Sequence, residues 1–198
     1  MVASGCGLIT AKAWSSNVHS SEILDRSHVQ LVVADSDSAN PNLTLIQKAC
    51  DNTNDHKLCV DYLSKSPQVA SATQKSPLAL AAAIAEAGLA DARRMRGYAS
   101  EKSVSSPAVK SAYAECAKSV DDTVAQLVMA VDILNHPARV AEEGGSDDAS
   151  YSLMVSVDGL TACSQTLASV KVEDRYIKTS VKRVQVCSVA ANSILTHL

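Results

Sequence analysis

Four of the six cysteines in this chain sit where few folds can accommodate them. Cys50 and Cys59 have eight residues between them. Cys116 and Cys163 lie far apart, on stretches that read as consecutive antiparallel helices. Bridges within each pair would close a short helical hairpin and tie two long helices together. Such bridges belong to an oxidising compartment rather than to a metal site or a redox enzyme.

The composition supports helices. The chain has no Phe, aromatics total 3%, and Ala, Val, Leu and Ser supply the bulk. Strands favour aromatic and β-branched side chains, whereas Ala and Leu let helices approach closely. A length of 198 residues is enough for one domain with its own core. The net charge of -3 gives no basic surface for nucleic acid. No apolar run approaches the length of a membrane span.

Residues 1–41 have mixed polarity, no sustained period and a Ser/Asn/Asp-rich end, and read as a poorly ordered leader. They show no basic tip followed by an apolar run and a small-residue cleavage site, so no conventional signal peptide is visible. This sits against the compartment that the cysteines imply. An ordered domain is expected over 42–198. It opens with a helical hairpin at 43–65, turning at Asn52-Thr53-Asn54-Asp55 and closed by Cys50–Cys59.

A four-helix bundle is expected over 76–197. Ser76-Pro77 and Ser106-Pro107 are helix starts, each a capping serine with proline at the first helical position. Apolar residues three or four apart follow each: Leu78, Ala81, Ala85, Leu89, Ala92, Met95 and Ala99, then Val109, Tyr113, Cys116, Val120, Val124, Leu127, Val131 and Leu134. Pro137 and Gly144-Gly145 end the second stripe. Ser146-Asp147-Asp148 can cap a third helix with Leu153, Val157, Leu160, Cys163, Leu167 and Val170. Glu173-Asp174 opens the last, with Ile177, Val181, Val184, Ala191, Leu195 and Leu198 inward. The fold class is all-α: a disulfide-stapled up-down-up-down four-helix bundle preceded by a short N-terminal helical hairpin.

Helical rise tests the long bridge. Cys116 lies 18 residues before Leu134, and Cys163 lies 17 residues after Ser146. At ~1.5 Å per residue they stand at the same height, with a Cα separation of ~5–6 Å expected for a bridge. The residue of the last helix level with Cys163 is about Val181, so Cys187 is offset by ~9 Å. It is expected to be a free, buried thiol. Cys6, in the leader, is expected to be unpaired.

Catalytic and metal signatures are missing. The sequence has no C-x-x-C, H-x-x-H or Glu-x-x-His pair, no G-x-S-x-G elbow and no phosphate loop. Asp121-Asp122 and Glu142-Glu143 read as solvated surface charge. No catalytic residue, metal ligand or cofactor is assigned. Asn42-Leu43-Thr44 is a glycosylation acceptor where order begins.

Three segments carry a resemblance: Ala49-Cys50-Asp51-Asn52-Thr53 with Leu58-Cys59-Val60-Asp61-Tyr62-Leu63, then Tyr113-Ala114-Glu115-Cys116 with Asp121-Asp122, then Tyr151 through Cys163. Over residues 43–198 the chain resembles the plant invertase and pectin methylesterase inhibitors. The family's two bridges agree with the pairing above, and an additional unpaired cysteine in the last helix is familiar there. The resemblance implies a secreted, monomeric inhibitor in the plant cell wall or vacuole. It would cover the active-site cleft of its enzyme in a one-to-one complex, and a stapled helix face loses little entropy on docking. Acidic pH would tune the contact through its carboxylates.

The target divides the family. Inhibitors of acid invertase typically carry a Pro-Lys-Phe turn after the third-cysteine helix. This chain has Pro137-Ala138-Arg139-Val140 there, keeping a cation in Arg139 but no aromatic anchor. Pectin methylesterase is therefore favoured. Its expected contacts are the outward positions Lys118, Asp121, Asp122, Gln126, Ser156 and Asp158, with Arg139 reserved for the invertase alternative. A helical adaptor without inhibitory activity is the reading from another class.

Overall fold

The computed structural model describes residues 41–105 and 109–197. The expectations for residues 1–40, Cys6 among them, and for the Ser106-Pro107 start fall outside these residues. Eight helices and no strand occur among the described residues: α1 (Pro41–Cys50), α2 (His56–Ser64), α3 (Pro67–Ala72), α4 (Pro77–Ser105), α5 (Lys110–Leu134), α6 (Pro137–Ala141), α7 (Gly145–Ser169) and α8 (Arg175–Leu195). The four long helices close a ring in which α4 packs on α5 and α8, and α7 packs on α5 and α8. Each thus has its chain neighbours at its sides, the arrangement of an up-and-down bundle.

Side chains that accept from free N–H groups mark the starts of α2, α3, α4 and α8. Ser76 Oγ accepts from Ala79 N at 3.1 Å, as its place before Pro77 predicts. Asp55 caps α2 through Leu58 N at 3.1 Å, and Asp174 caps α8 through the N–H groups of Tyr176 and Ile177. Ser66-Pro67 carries the same sign as Ser76-Pro77, and it starts α3, a helix that the apolar stripes did not reveal. With only six residues, α3 is too short for a stripe.

The Ala-rich start of α4 is buried on every side, from Leu80 through Ala85. Three helices, α3, α5 and α8, pack on α4. Small side chains admit that many neighbours, which explains why a two-sided pattern is missing there. The hairpin α1–α2 rests on α8, where Asn52 Nδ2 donates to Ser193 Oγ at 3.0 Å. Tyr62 ties it to α4 by donating to Asp91 Oδ2 at 2.8 Å, and Arg94 pairs with the other oxygen of that buried carboxylate.

Both expected bridges are formed, Cys50–Cys59 and Cys116–Cys163. The Cα atoms of the second pair are 4.0 Å apart, closer than expected. The reason lies one turn away. A Cβ on Gly159 would stand 2.3 Å from Ser119 O and 2.5 Å from Thr123 Oγ1, so α5 and α7 touch backbone to backbone. Gly159→Ala is expected to cost about 2 kcal/mol, because the clash is with a carbonyl that cannot rotate away. Urea unfolding of the variant beside the wild type would measure it.

Cys187 is unpaired and buried. Burial pushes its thiol well above the ordinary range, so it stays protonated and unreactive. It lies against α4, where a Cβ on Gly88 would come within 2.9 Å of the Cys187 Cβ. The predicted level of Cys163 on α8 agrees with the contacts of Ser156 with Ser188 and Ser150 with Asn192, which set the α7–α8 register.

Candidate functional site

The segment after α5 differs from its sequence reading. Pro137 does stop α5 at Leu134, but residues Pro137–Ala141, at the place of the family's turn, then form the helix α6. Helix α7 already begins at Gly145, with left-handed Gly144 (φ 83°) at the cap position. Asp147 and Asp148 therefore lie in the first turn, where negative charge complements the helix dipole, and not at the cap. Arg139 is not a free cation: its guanidinium bonds the Asp132 carboxylate, which also faces His136 at 3.5 Å.

A second correction concerns Ser156. It was expected to face outward, yet it is fully buried. Its hydroxyl donates to Leu153 O at 2.7 Å and shares a 2.9 Å bond with Ser188 Oγ, while its carbonyl accepts from Thr123 Oγ1 at 2.9 Å. A serine that bonds back to its own helix is cheap to bury, so polarity alone misplaces it.

The other expected residues are exposed or half-exposed, but they do not form one cluster. Asp121 leans towards α4 and pairs with Arg96 at 2.8 Å. Lys118, Asp122, Gln126 and Asp158 make no side-chain hydrogen bond or ion pair among the described residues. Three of these four come together at the seam between α5 and α7. The contacts Cys116–Cys163, Ser119–Gly159 and Thr123–Ser156 fix the antiparallel register. From them, the stripe Glu115, Ser119, Asp122, Gln126, Met129 borders one side of the seam, at steps of four and three. On α7 the stripe Tyr151, Val155, Asp158, Ala162 borders the other. The register sets Asp122 level with Asp158, and Met129 level with Tyr151.

Met129 and Tyr151 are not among the expected contacts, which are charged and polar positions, because an apolar residue on a helix reads as core. They are 54% and 68% exposed, and Met154 beside them is 46% exposed. A sign was present, since all three fall outside the inward stripes. The end result is a face with an apolar end and an acidic end, and with no cation seated between the two carboxylates. Among the described residues no group of three His, Cys, Asp or Glu is placed to hold a metal, and no helix is long and apolar enough to cross a membrane.

The end of the bundle where α4 finishes and α5 and α8 begin is organised around Asp174. Its Oδ1 caps α8, while Oδ2 accepts from Tyr113 at 2.7 Å and Tyr98 at 2.9 Å. Tyr98 also stacks on Tyr176, with ring centroids 4.4 Å apart, and carries Lys102 over its ring. Burial and the bond to Asp174 push the Tyr98 hydroxyl up to about 12. These groups join three helices and serve structure.

The family model described as plant invertase/pectin methylesterase inhibitor matches residues 44–198. Two solved structures of similar fold come from Arabidopsis. A mutant form A of a pectin methylesterase inhibitor superposes with a TM-score of 0.63 at 18% identity, over 75% of this chain and 93% of that one. A pectin methylesterase inhibitor gives a TM-score of 0.55 at 18% identity, over 78% and 96%. No curated protein matches the sequence.

Proposed function

Because the chain belongs to the plant invertase/pectin methylesterase inhibitor family, whose members are inhibitors and not enzymes, we propose that it inhibits a pectin methylesterase by covering its active-site cleft in a one-to-one complex. The observation that carries the choice of target is the state of Arg139. An inhibitor of acid invertase would need a cation projecting from this corner towards carboxylates of the enzyme. Here the guanidinium is held by Asp132 of its own chain. The unpaired carboxylates Asp122 and Asp158 instead offer negative charge along the α5–α7 face. They suit an enzyme whose groove handles a polymer that gains carboxylates as its esters are cleaved.

The stapled bundle supports this mode of action. A face fixed by a disulfide and by backbone contact at Gly159 has little freedom left to lose on binding. The two bridges favour secretion to the cell wall, and glycosylation at Asn42, on the first turn of α1, accords with that route. The inhibitor acts as a monomer and uses no cofactor.

The test is a titration of the full, oxidised chain at mildly acidic pH against a plant cell-wall pectin methylesterase and, in parallel, an acid invertase. Stoichiometric loss of the esterase activity alone is expected, with Arg139→Ala as potent as the wild type. Loss of invertase activity that Arg139→Ala abolishes would instead establish the alternative target.

A further inference from the structure

We infer that Met129 and Tyr151 form the apolar anchor of the docking face, one that seats in a recess of the target enzyme while Asp122 and Asp158 meet a cation beside it. This inference rests on the inhibitor reading above and goes further, to the surface used and the chemistry of its partner.

Exposed apolar side chains scattered singly need no explanation, but three neighbours with Tyr and Met among them are the composition of an interface centre. Ile133, one turn beyond Met129 on the same stripe, is buried, whereas Met129, Tyr151 and Met154 are exposed. Met129 lies seven residues from Asp122, as Tyr151 does from Asp158, so the apolar and acidic ends are ~10 Å apart along the seam.

That spacing describes the partner. It presents an apolar or aromatic recess and, about 10 Å away, one or more Lys or Arg side chains. Charge decides against a second copy of this chain. In either two-fold arrangement of the face on itself, the carboxylates Asp122 and Asp158 meet each other or the apolar end, with only the single Lys118 of each copy within a turn of them, and the burial of like charges so poorly matched is costly. Lys118, four residues before Asp122, does not pair with it, so the carboxylates remain available to an external cation.

The two ends are expected to act differently. A desolvated aromatic anchor sets the dissociation rate, whereas rim charges set the association rate and its salt dependence. The full, oxidised chain would be assayed against a plant cell-wall pectin methylesterase at two salt concentrations. The double variant Met129→Ser/Tyr151→Ser should weaken inhibition about 30-fold or more with an unchanged salt slope. Tyr151→Phe should stay close to wild type, since the ring supplies the contact. Asp122→Asn/Asp158→Asn should lose only a few fold and flatten the salt dependence. These side chains are exposed, so thermal melts should not move.

Wild-type inhibition that the Met129/Tyr151 variant retains in full would overturn the anchor while leaving the inhibitor reading intact. A wild type that inhibits no methylesterase would remove that reading and the anchor with it. Concentration-dependent dimerisation abolished by the same variant would assign the patch to self-association and overturn the proposal.

Discussion

Replacing Cys116 and Cys163 together by alanine is expected to lower the unfolding free energy of the bundle by about 4 kcal/mol. The bridge spans a sequence separation of 47, and the chain-entropy cost of closing such a loop in the unfolded state gives this figure. Both cysteines are fully buried at the α5–α7 contact, so the variant also loses packing one turn from where the backbones touch at Gly159. For a domain of this size the melting temperature should fall by roughly 10 °C. Removing Cys50–Cys59 should behave otherwise. The same reasoning assigns ~3 kcal/mol to its shorter loop, but the hairpin can open while the four long helices stay packed, so the bundle's own melt moves less. Calorimetry of both variants, beside the wild type with and without reductant, would separate the two. Equal melting temperatures for wild type and the Cys116/Cys163 variant would refute the assigned role of the long bridge.

Asp174→Ala is expected to cost about 3 kcal/mol near neutral pH. It removes the cap of α8 and leaves the hydroxyls of Tyr98 and buried Tyr113 without their acceptor. The effect should depend on pH in a definite direction. Burial works to raise the Asp174 carboxyl, but the hydroxyl of Tyr113, the N–H of Ile177, the hydroxyl of Tyr98 and the N–H of Tyr176 together hold it below the ordinary carboxylate value. A carboxyl depressed by folding adds stability that is complete above its unfolded value and is lost as pH falls through the folded one. At mildly acidic pH the contribution therefore remains. The gap between wild type and Asp174→Ala should be widest at pH 5–7 and close below the depressed value. Urea unfolding across that range measures it, and a gap that persists unchanged at the lowest pH would refute the assignment.

Much of the fold could be read from residue order because its causes are local. Ser76-Pro77 and Asp174 announce helix starts by capping chemistry, and the inward stripes repeat every three or four residues because that is the helical period. The cysteine heights followed from a constant rise, and they hold in the structure. What escaped were features created by contact between helices. Ser66-Pro67 carried a start signal, but α3 is too short for periodicity to second it. The residues from Pro137 to Ala141 stand at a stop signal and the place of a turn, yet they coil into α6 and pack against both neighbours.

The candidate site was less legible than the fold. Polarity placed Asp122, Gln126 and Asp158 outside correctly, but it could not reveal that Ser156 bonds inward or that Asp132 holds Arg139. Nor could it show Met129 and Tyr151 as exposed neighbours, since an apolar residue is normally assigned to the core.

By itself the sequence determined the N-terminal hairpin and the four long helices, the pairing of the cysteines and the absence of catalytic motifs, because caps, period and rise act over a few residues. Only the tertiary structure decided which side chains share a face. That depends on the rotation and register of α5 against α7, set by a glycine, a threonine and a disulfide that meet from distant parts of the chain.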